Sequence, residues 1–349
     1  MPSHEEIAAD HSLSESLLHD MSFDLRTPWL PPAAEAALMP ATIEPVEATV
    51  QSNDTTTAAE APCAAAPGPM DRWEIIQAIS GHRHIVYRCR PSDSPADTPF
   101  AYALKLVRPE FRDASIDRHL LAREAMIGQL VRNPHLVPVL SARVVGEQPY
   151  LVMPWLQGQT LEQRLNSGQS FSTAEALWIA RQAACGLGAL AEHGFVHNDV
   201  KPSNLMISDD GHVTVLDLAF AARVHLQEHA PSAAAVLMGT PAYWAAERTA
   251  AAEEYAAIDH RSDIFSLGLI LAELLLSGNQ ASDQRTRNGA ERAEELLRRL
   301  HATIGLPRGL LGLLAQMLAR HPWRRPESYP ELIRRLTALE IATFTCRSW

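Results

Sequence analysis

The rhythm of apolar and polar positions changes twice along the chain. Residues 1–69 carry no period at all. From Arg72, short β-like runs, "WEIIQAIS", "IVYRCR" and "FAYALKLV", are separated by turn-rich pieces such as "PSDSPADTP", which predicts three consecutive antiparallel strands. The next stretch, "SIDRHLLAREAMIGQLV", has helical period, with Leu120, Ile127 and Val131 on one face and Glu124 on that same face. A carboxylate inside an apolar stripe requires a partner. Two further strand-like runs, "HLVPVLSARVV" and "PYLVMPW", complete a predicted five-stranded sheet. After "LQGQT" the pattern turns helical: "STAEALWIARQAACGLGALAEHG" opens on a capping box from Ser172 to Glu175, stops at Gly194, and buries Leu177, Ala184, Leu187 and Ala191. A hairpin, "LMISDDGHVTVLDL", turns at "DDG" and delivers Asp217 at its far end. Four later segments, "DIFSLGLILAELLLSG", "ERAEELLRRLHATI", "GLLGLLAQMLARH" and "YPELIRRLTALEI", read as helices. The class predicted is α+β, a small β-rich lobe ahead of a large helical one.

Charge sharpens the division. The net charge is -11, yet residues 1–69 hold 11 acidic side chains and one arginine, so the remainder is nearly neutral. This Ala-, Pro-, Thr- and Glu-rich segment has too few large apolar residues to offset ordering entropy, and is expected to be a disordered acidic tail with a short helix over "EEIAADHSLSESLLHD". No basic stripe suggests nucleic acid. The longest apolar stretch, "LGLILAELLL", is too short to span a bilayer and contains Glu273, and the opening "MPSHEEIAAD" lacks the apolar segment of a leader, so no membrane association and a cytoplasmic location are expected. Cys63, Cys89, Cys185 and Cys346 stand far apart without a CxxC pair, which argues against a zinc site or a disulfide framework and for a reducing compartment.

Six short motifs follow one another in a fixed order: "YALK", "HNDVKPSN", "DLA", "GTPAYWAAE", "RSDIFSLG" and "HPWRRP". Each is weak alone; in sequence they resemble the Hanks-type serine/threonine protein kinases of bacteria, over about Arg72 to Leu339. The resemblance implies a protein-kinase-like two-lobed fold. Residues 1–69 would form the tail, 70–153 the N-lobe with a five-stranded antiparallel sheet and one helix, and 154–349 the mainly helical C-lobe. It further implies ATP with magnesium, or manganese in its place, and protein substrates with Ser/Thr acceptors. Lys105 would hold the α- and β-phosphates and Glu124 would be its helix partner. Asp199 would orient the substrate hydroxyl and accept its proton, Lys201 would steady the γ-phosphate, and Asn204 and Asp217 would bind the metal. Gly81, Val86 and Ala103 would enclose the nucleotide, with Met153 as gatekeeper and Pro154, Trp155 and Leu156 as the adenine hinge. Glu247 would pair with Arg325, and Asp263 would brace the catalytic loop.

The sequence departs from the family pattern at four places. The glycine-rich loop reads "SGHRHIVY", so only Gly81 survives and Ile79 and His84 stand at the other glycine positions. Backbone amides approach phosphates most closely at glycine, so weaker or differently organised ATP binding is expected. His82, Arg83 and His84 either supply side-chain contacts or simply face solvent. Ala219 replaces the glycine after Asp217 and should stiffen that hinge; Ala246 replaces a proline, a mild change. Asn198 stands where many kinases carry the arginine that clamps a phosphorylated activation loop. This non-RD pattern, with Ser232 the sole hydroxyl residue between Asp217 and Gly239, predicts independence from activation-loop phosphorylation.

The chain has 30 Lys+Arg but only two lysines, Lys105 and Lys201, and both fall on catalytic motif positions. Random placement would do this in one of several hundred ways. Ammonium and guanidinium are not interchangeable against a phosphate in a tight cleft, so these two sites carry a chemical constraint. With every charged part present, a serine/threonine kinase is the reading favoured. An ATP-binding pseudokinase scaffold is the alternative, and a small-molecule phosphotransferase with a similar HxDxxxxN loop is a third; Lys201 and "GTPAYWAAE" favour protein substrates. Thr42, Thr49, Thr55, Thr56 and Thr57 are candidate autophosphorylation sites for a phosphothreonine-reading partner, against the simpler role of a tether.

Overall fold

The computed structural model describes residues 72–81, 83–111, 115–146, 148–224, 241–248, 258–277, 288–303 and 305–345. The tail, with its threonines, Cys63, His82, Ser232, Gly239 and Cys346 lie outside them.

The first lobe is a five-stranded antiparallel sheet, β1 (Trp73–Ser80), β2 (His84–Pro91), β3 (Tyr102–Val107), β4 (Ser141–Arg143) and β5 (Tyr150–Pro154), ordered β1-β2-β3-β5-β4. The central strand β3, "YALKLV", is buried from Ala103 onward because both sheet faces are covered. Cys89, Leu104, Leu106 and Val152 pack on one face under Trp73 and Tyr102. Ala103, Val107, Leu151 and Met153 pack on the other, against Leu121 and Ala125 of helix α1 (Ser115–Leu130). The stripe read from the sequence is present: Leu120, Glu124 and Ile127 of α1, and Val131 just past its end, are all buried.

One expected strand is much shorter than its apolar run. Of "HLVPVLSARVV" only Ser141–Arg143 joins the sheet. Pro134 and Pro138 remove ladder donors, and the preceding amides turn elsewhere, Val137 N–H to Val215 O at 3.0 Å and Val139 N–H to Gly128 O at 3.1 Å. The segment therefore straps α1 to the second lobe. The long helix α3 crosses beneath it: a Cβ on Gly186 would lie 2.5 Å from the His135 carbonyl, so close approach requires glycine there.

The second lobe holds α2 (Leu161–Asn166), α3 (Thr173–Glu192), α4 (Arg261–Leu276), α5 (Gly289–His301), α6 (Leu310–Met317) and α7 (Tyr329–Thr345). The predicted capping box opens α3: Glu175 N–H bonds Ser172 Oγ at 3.2 Å while Ser172 N–H bonds the Glu175 carboxylate at 2.8 Å. The largely buried α4, with 0% exposure from Leu269 to Ala272, forms the centre of the lobe's apolar core. Three short ladders decorate the face nearest the sheet lobe: β6 (Gln159–Thr160) with β8 (Leu205–Ile207), β8 with β9 (Val213–Val215), and β7 (Phe195–Val196) with β10 (Ala222–Arg223). Cys89 and Cys185 are both free thiols. No helix among the described residues is long and apolar enough to cross a membrane.

Candidate active site

The loop from His197 to Asn204 links β7 to β8 and is held by partners distant in sequence as well as by its own side chains. Asp263, buried in the first turn of α4, accepts the His197 N–H at 2.7 Å and the Asn198 N–H at 2.9 Å. These two bonds hold Asn198 in a left-handed conformation, φ 67°, which asparagine tolerates better than most residues. The Asn198 side chain donates to Phe220 O at 3.2 Å. His197 accepts the Asp199 N–H on Nδ1 at 3.2 Å, so its Nε2–H donates to Leu216 O at 3.0 Å. The loop and the strand leading to Asp217 are thus one unit.

Asp199, buried, is flanked by Lys201 Nζ at 2.6 Å and by Asn204 Nδ2 at 3.0 Å; the same amide nitrogen reaches the Asp199 carbonyl at 2.8 Å. Asp217 lies two residues past β9, also left-handed at φ 60°. Above it, Lys105 on β3 makes an ion pair with Glu124 of α1 at 2.7 Å and a second with Asp217 at 3.0 Å. One ammonium therefore ties sheet, helix and second lobe together. Burial opposes the charge on all three groups. Lys105 nonetheless stays above the ordinary lysine value because Asp217 and Glu124 outweigh burial. Burial raises the Asp217 carboxyl too, but Lys105 more than offsets it and holds the group ionised, well below the usual range. Glu124, deeper, is pushed up to about 7 by burial, with Lys105 only partly compensating.

Val86 is the cross-strand partner of Lys105 and Ala103 that of Met153, so Val86, Ala103 and Met153 line the same side of the sheet lobe. Pro154, Trp155 and Leu156 continue from β5 toward the second lobe, Trp155 N–H bonding Ala101 O at 2.7 Å.

The predicted Glu247–Arg325 pair is present and closed off from solvent: two bonds, at 2.5 and 2.9 Å, with Ser262 Oγ donating to Glu247 at 2.7 Å and the guanidinium 4.9 Å from the Phe265 ring. Two further contacts were not foreseen. Arg248, next in sequence to Glu247, stacks over Trp244 and donates to the Asn198 carbonyl. At the β1–β2 turn, Arg83 forms a bidentate pair with Asp117 in the first turn of α1, at 2.6 and 2.5 Å, and Asp117 is completely buried. In the sequence Asp117 reads as an ordinary acidic residue at a helix N-terminus; only the fold brings it to a hairpin 34 positions away.

Residues 80–335 match the family described as the protein kinase domain, and this chain belongs to that family. The serine/threonine-protein kinase PknK of Mycobacterium tuberculosis is 31% identical over 250 residues, which cover 69% of this chain and 21% of that protein. PknL of the same organism is 30% identical over 260 residues, covering 72% of this chain and 62% of PknL. The kinase pkn2 of Myxococcus xanthus is 32% identical over 234 residues, 63% of this chain and 27% of that protein. The chain thus spans only about a fifth of PknK's length. Among solved structures, a mutant PknI kinase domain of M. tuberculosis superposes with a TM-score of 0.54 at 20% identity, covering 77% of this chain and 95% of that one, which identifies the same fold.

Proposed function

We propose that this chain transfers the γ-phosphoryl group of ATP to serine or threonine hydroxyls of protein substrates, without a phosphorylated activation loop. The observation that carries this reading is the Lys105 hub, joined to Glu124 and Asp217 at once. Phosphoryl transfer depends on positioning and on charge placed where the transition state needs it. In this reading Lys105 holds the α- and β-phosphates. Asp199 accepts the proton of the substrate hydroxyl as its oxygen attacks the γ-phosphorus and the bond to the bridging oxygen breaks, leaving ADP. Lys201, seated on Asp199, balances charge on the γ-phosphoryl oxygens. Gly81, Val86, Ala103 and the Met153–Leu156 segment enclose the nucleotide.

The residues fit a divalent ion. Asp217 stays ionised and Asn204 turns its amide nitrogen to Asp199, which leaves its carbonyl oxygen for a cation. One carboxylate, one amide oxygen, phosphates and water are a set that magnesium accepts, and manganese as well. Bound magnesium would neutralise charge on the β- and γ-phosphate oxygens.

Independence from loop phosphorylation is supported by Arg248. Asn198 cannot clamp a phosphate, but Arg248 already bridges the end of the activation segment to the Asn198 carbonyl. The tail threonines would be autophosphorylation sites for a phosphothreonine-reading partner.

The lost glycines favour a second reading, an ATP-binding scaffold. Transfer of labelled γ-phosphate to the chain itself and to a generic basic protein separates the two, with Asp199→Asn and Lys105→Met beside it. Incorporation abolished by both substitutions supports the kinase; ATP binding without incorporation supports the scaffold.

A further inference from the structure

The glycine-poor hairpin is an organised structure. Gly81 N–H bonds His84 O at 2.9 Å, Arg108 N–H bonds Arg83 O at 2.9 Å, and the Arg108 guanidinium reaches Gly81 O at 3.1 Å. The Arg83 side chain, 4.7 Å above the Phe111 ring, locks the turn to the buried Asp117 of α1. A hairpin fixed at so many points holds its next residue in place.

That residue is His84, at a position where the family carries glycine. Alternation along β2 puts His84 on the same face as Val86, and Val86 pairs across the ladder with Lys105. His84 therefore points to the Lys105 side of the sheet, where its charged surroundings are Lys105, Asp217, Asp117 and Arg83. Its Nε2 is buried and has no hydrogen-bond partner among the described residues. Other buried side-chain atoms among the described residues also lack a partner; this one is distinguished by its residue's place on the Lys105 face of the sheet, where a ligand would satisfy it.

We propose that the His84 imidazole is a phosphate-binding group, its Nε2–H donating to an α- or β-phosphate oxygen of ATP, with Arg83 and Asp117 as the positioning residues that hold it there. A side chain then does at this cleft what backbone amides do at a glycine-rich turn. Burial, and secondly the Lys105 ammonium, lower the imidazole pKa to about 4, so at neutral pH the ring is uncharged and carries one N–H. Such a ring can donate without adding a second repelling cation beside Lys105. The inference rests on the kinase reading above and extends it.

The test is direct binding of ATP and of adenosine to the full chain, its His84→Ala and His84→Gln variants, and Lys105→Met. Loss of one hydrogen bond to a charged acceptor should weaken ATP about tenfold in His84→Ala, leave adenosine unchanged, and be partly restored by the amide N–H of His84→Gln. Equal weakening of ATP and adenosine would reduce His84 to a structural residue and overturn the proposal. Unchanged or tighter ATP binding in His84→Ala would also overturn it, the latter marking the histidine as a plug. A wild-type chain that binds no ATP rejects the kinase reading itself, whereas wild-type binding with an indifferent His84→Ala rejects only the histidine's role.

Discussion

The two walls of the cleft are built by different means. On the second-lobe side, the loop carrying Asp199, Lys201 and Asn204 is fixed by amides donating to Asp263 and by the His197 ring spanning to Leu216. Its own residues are close in sequence, and Asp199, Lys201 and Asn204 of the family pattern are retained, with Asn198 in place of the arginine many kinases carry. On the sheet side, the β1–β2 turn has lost two glycines and is fixed by Arg83 on Asp117 and by Arg108 on Gly81. In the function proposed above, the difference follows from what each wall would have to do. Proton transfer and metal binding need particular functional groups at particular points, which other residue types cannot supply. Covering the phosphates needs only donors within reach, and backbone or side chains can provide them.

Four experiments would break or sharpen that comparison. The largest effect is expected at the second-lobe wall: Asp199→Asn should cut phosphate transfer about a thousandfold with ATP affinity nearly intact, measured by single-turnover incorporation and equilibrium binding. Next, Arg325→Ala strands the buried Glu247 carboxylate without its partner, and should cost roughly 3 kcal/mol of unfolding free energy by denaturant titration. At the sheet-side wall, Arg83→Ala leaves Asp117 buried, but the guanidinium it removes is 23% exposed, so a smaller loss of roughly 2 kcal/mol is expected. Its diagnostic signature is a raised KM for ATP at nearly constant kcat. A loss as large as that of Arg325→Ala would mean the hairpin lock belongs to the core rather than to the cleft.

The smallest effect concerns pH. The folded-state pKa of Glu124 is raised to about 7, so its contribution to stability is fullest below the ordinary carboxylate value and is lost as pH rises through about 7. Activity runs the other way, since the ion pair with Lys105 needs the carboxylate. Lowering pH from 8 to 6 should therefore reduce kcat/KM for ATP about tenfold, the ratio of the ionised fractions on either side of a pKa of about 7, with no stability penalty from this residue. Glu124→Gln should flatten the profile.

What the sequence disclosed follows the same division. The α3 capping box and the "DDG" hairpin were legible because their partners lie within a few residues; the catalytic loop was legible from its motif, although Asp263, which holds it, lies 65 positions from Asn198. The need of Glu124 for a partner was legible from helical period, since a carboxylate sits in an apolar stripe, and the resemblance carried by "YALK" supplied Lys105 as that partner. Arg83–Asp117 was not, because nothing local links a turn arginine to an acid one helix later. Arg248 was overshadowed by its neighbour Glu247, which the motif names. The run from His135 to Leu140 reads as strand from its apolar composition, but Pro138 within it and Pro134 just before it lack the donors that decide the path. That run is a strap, and period cannot distinguish a strap from a buried strand.

The scarcity of lysine has a practical consequence. Apart from the chain's amino terminus, an amine-directed reagent has two addresses in this protein, one nearly enclosed at Lys105 and one more open at Lys201, with side-chain exposures of 8% and 21%. Labels, crosslinkers and acylating inhibitors aimed at amines would all converge on the cleft, and any acylation of a lysine in this chain would fall on the site proposed to hold the nucleotide's phosphates.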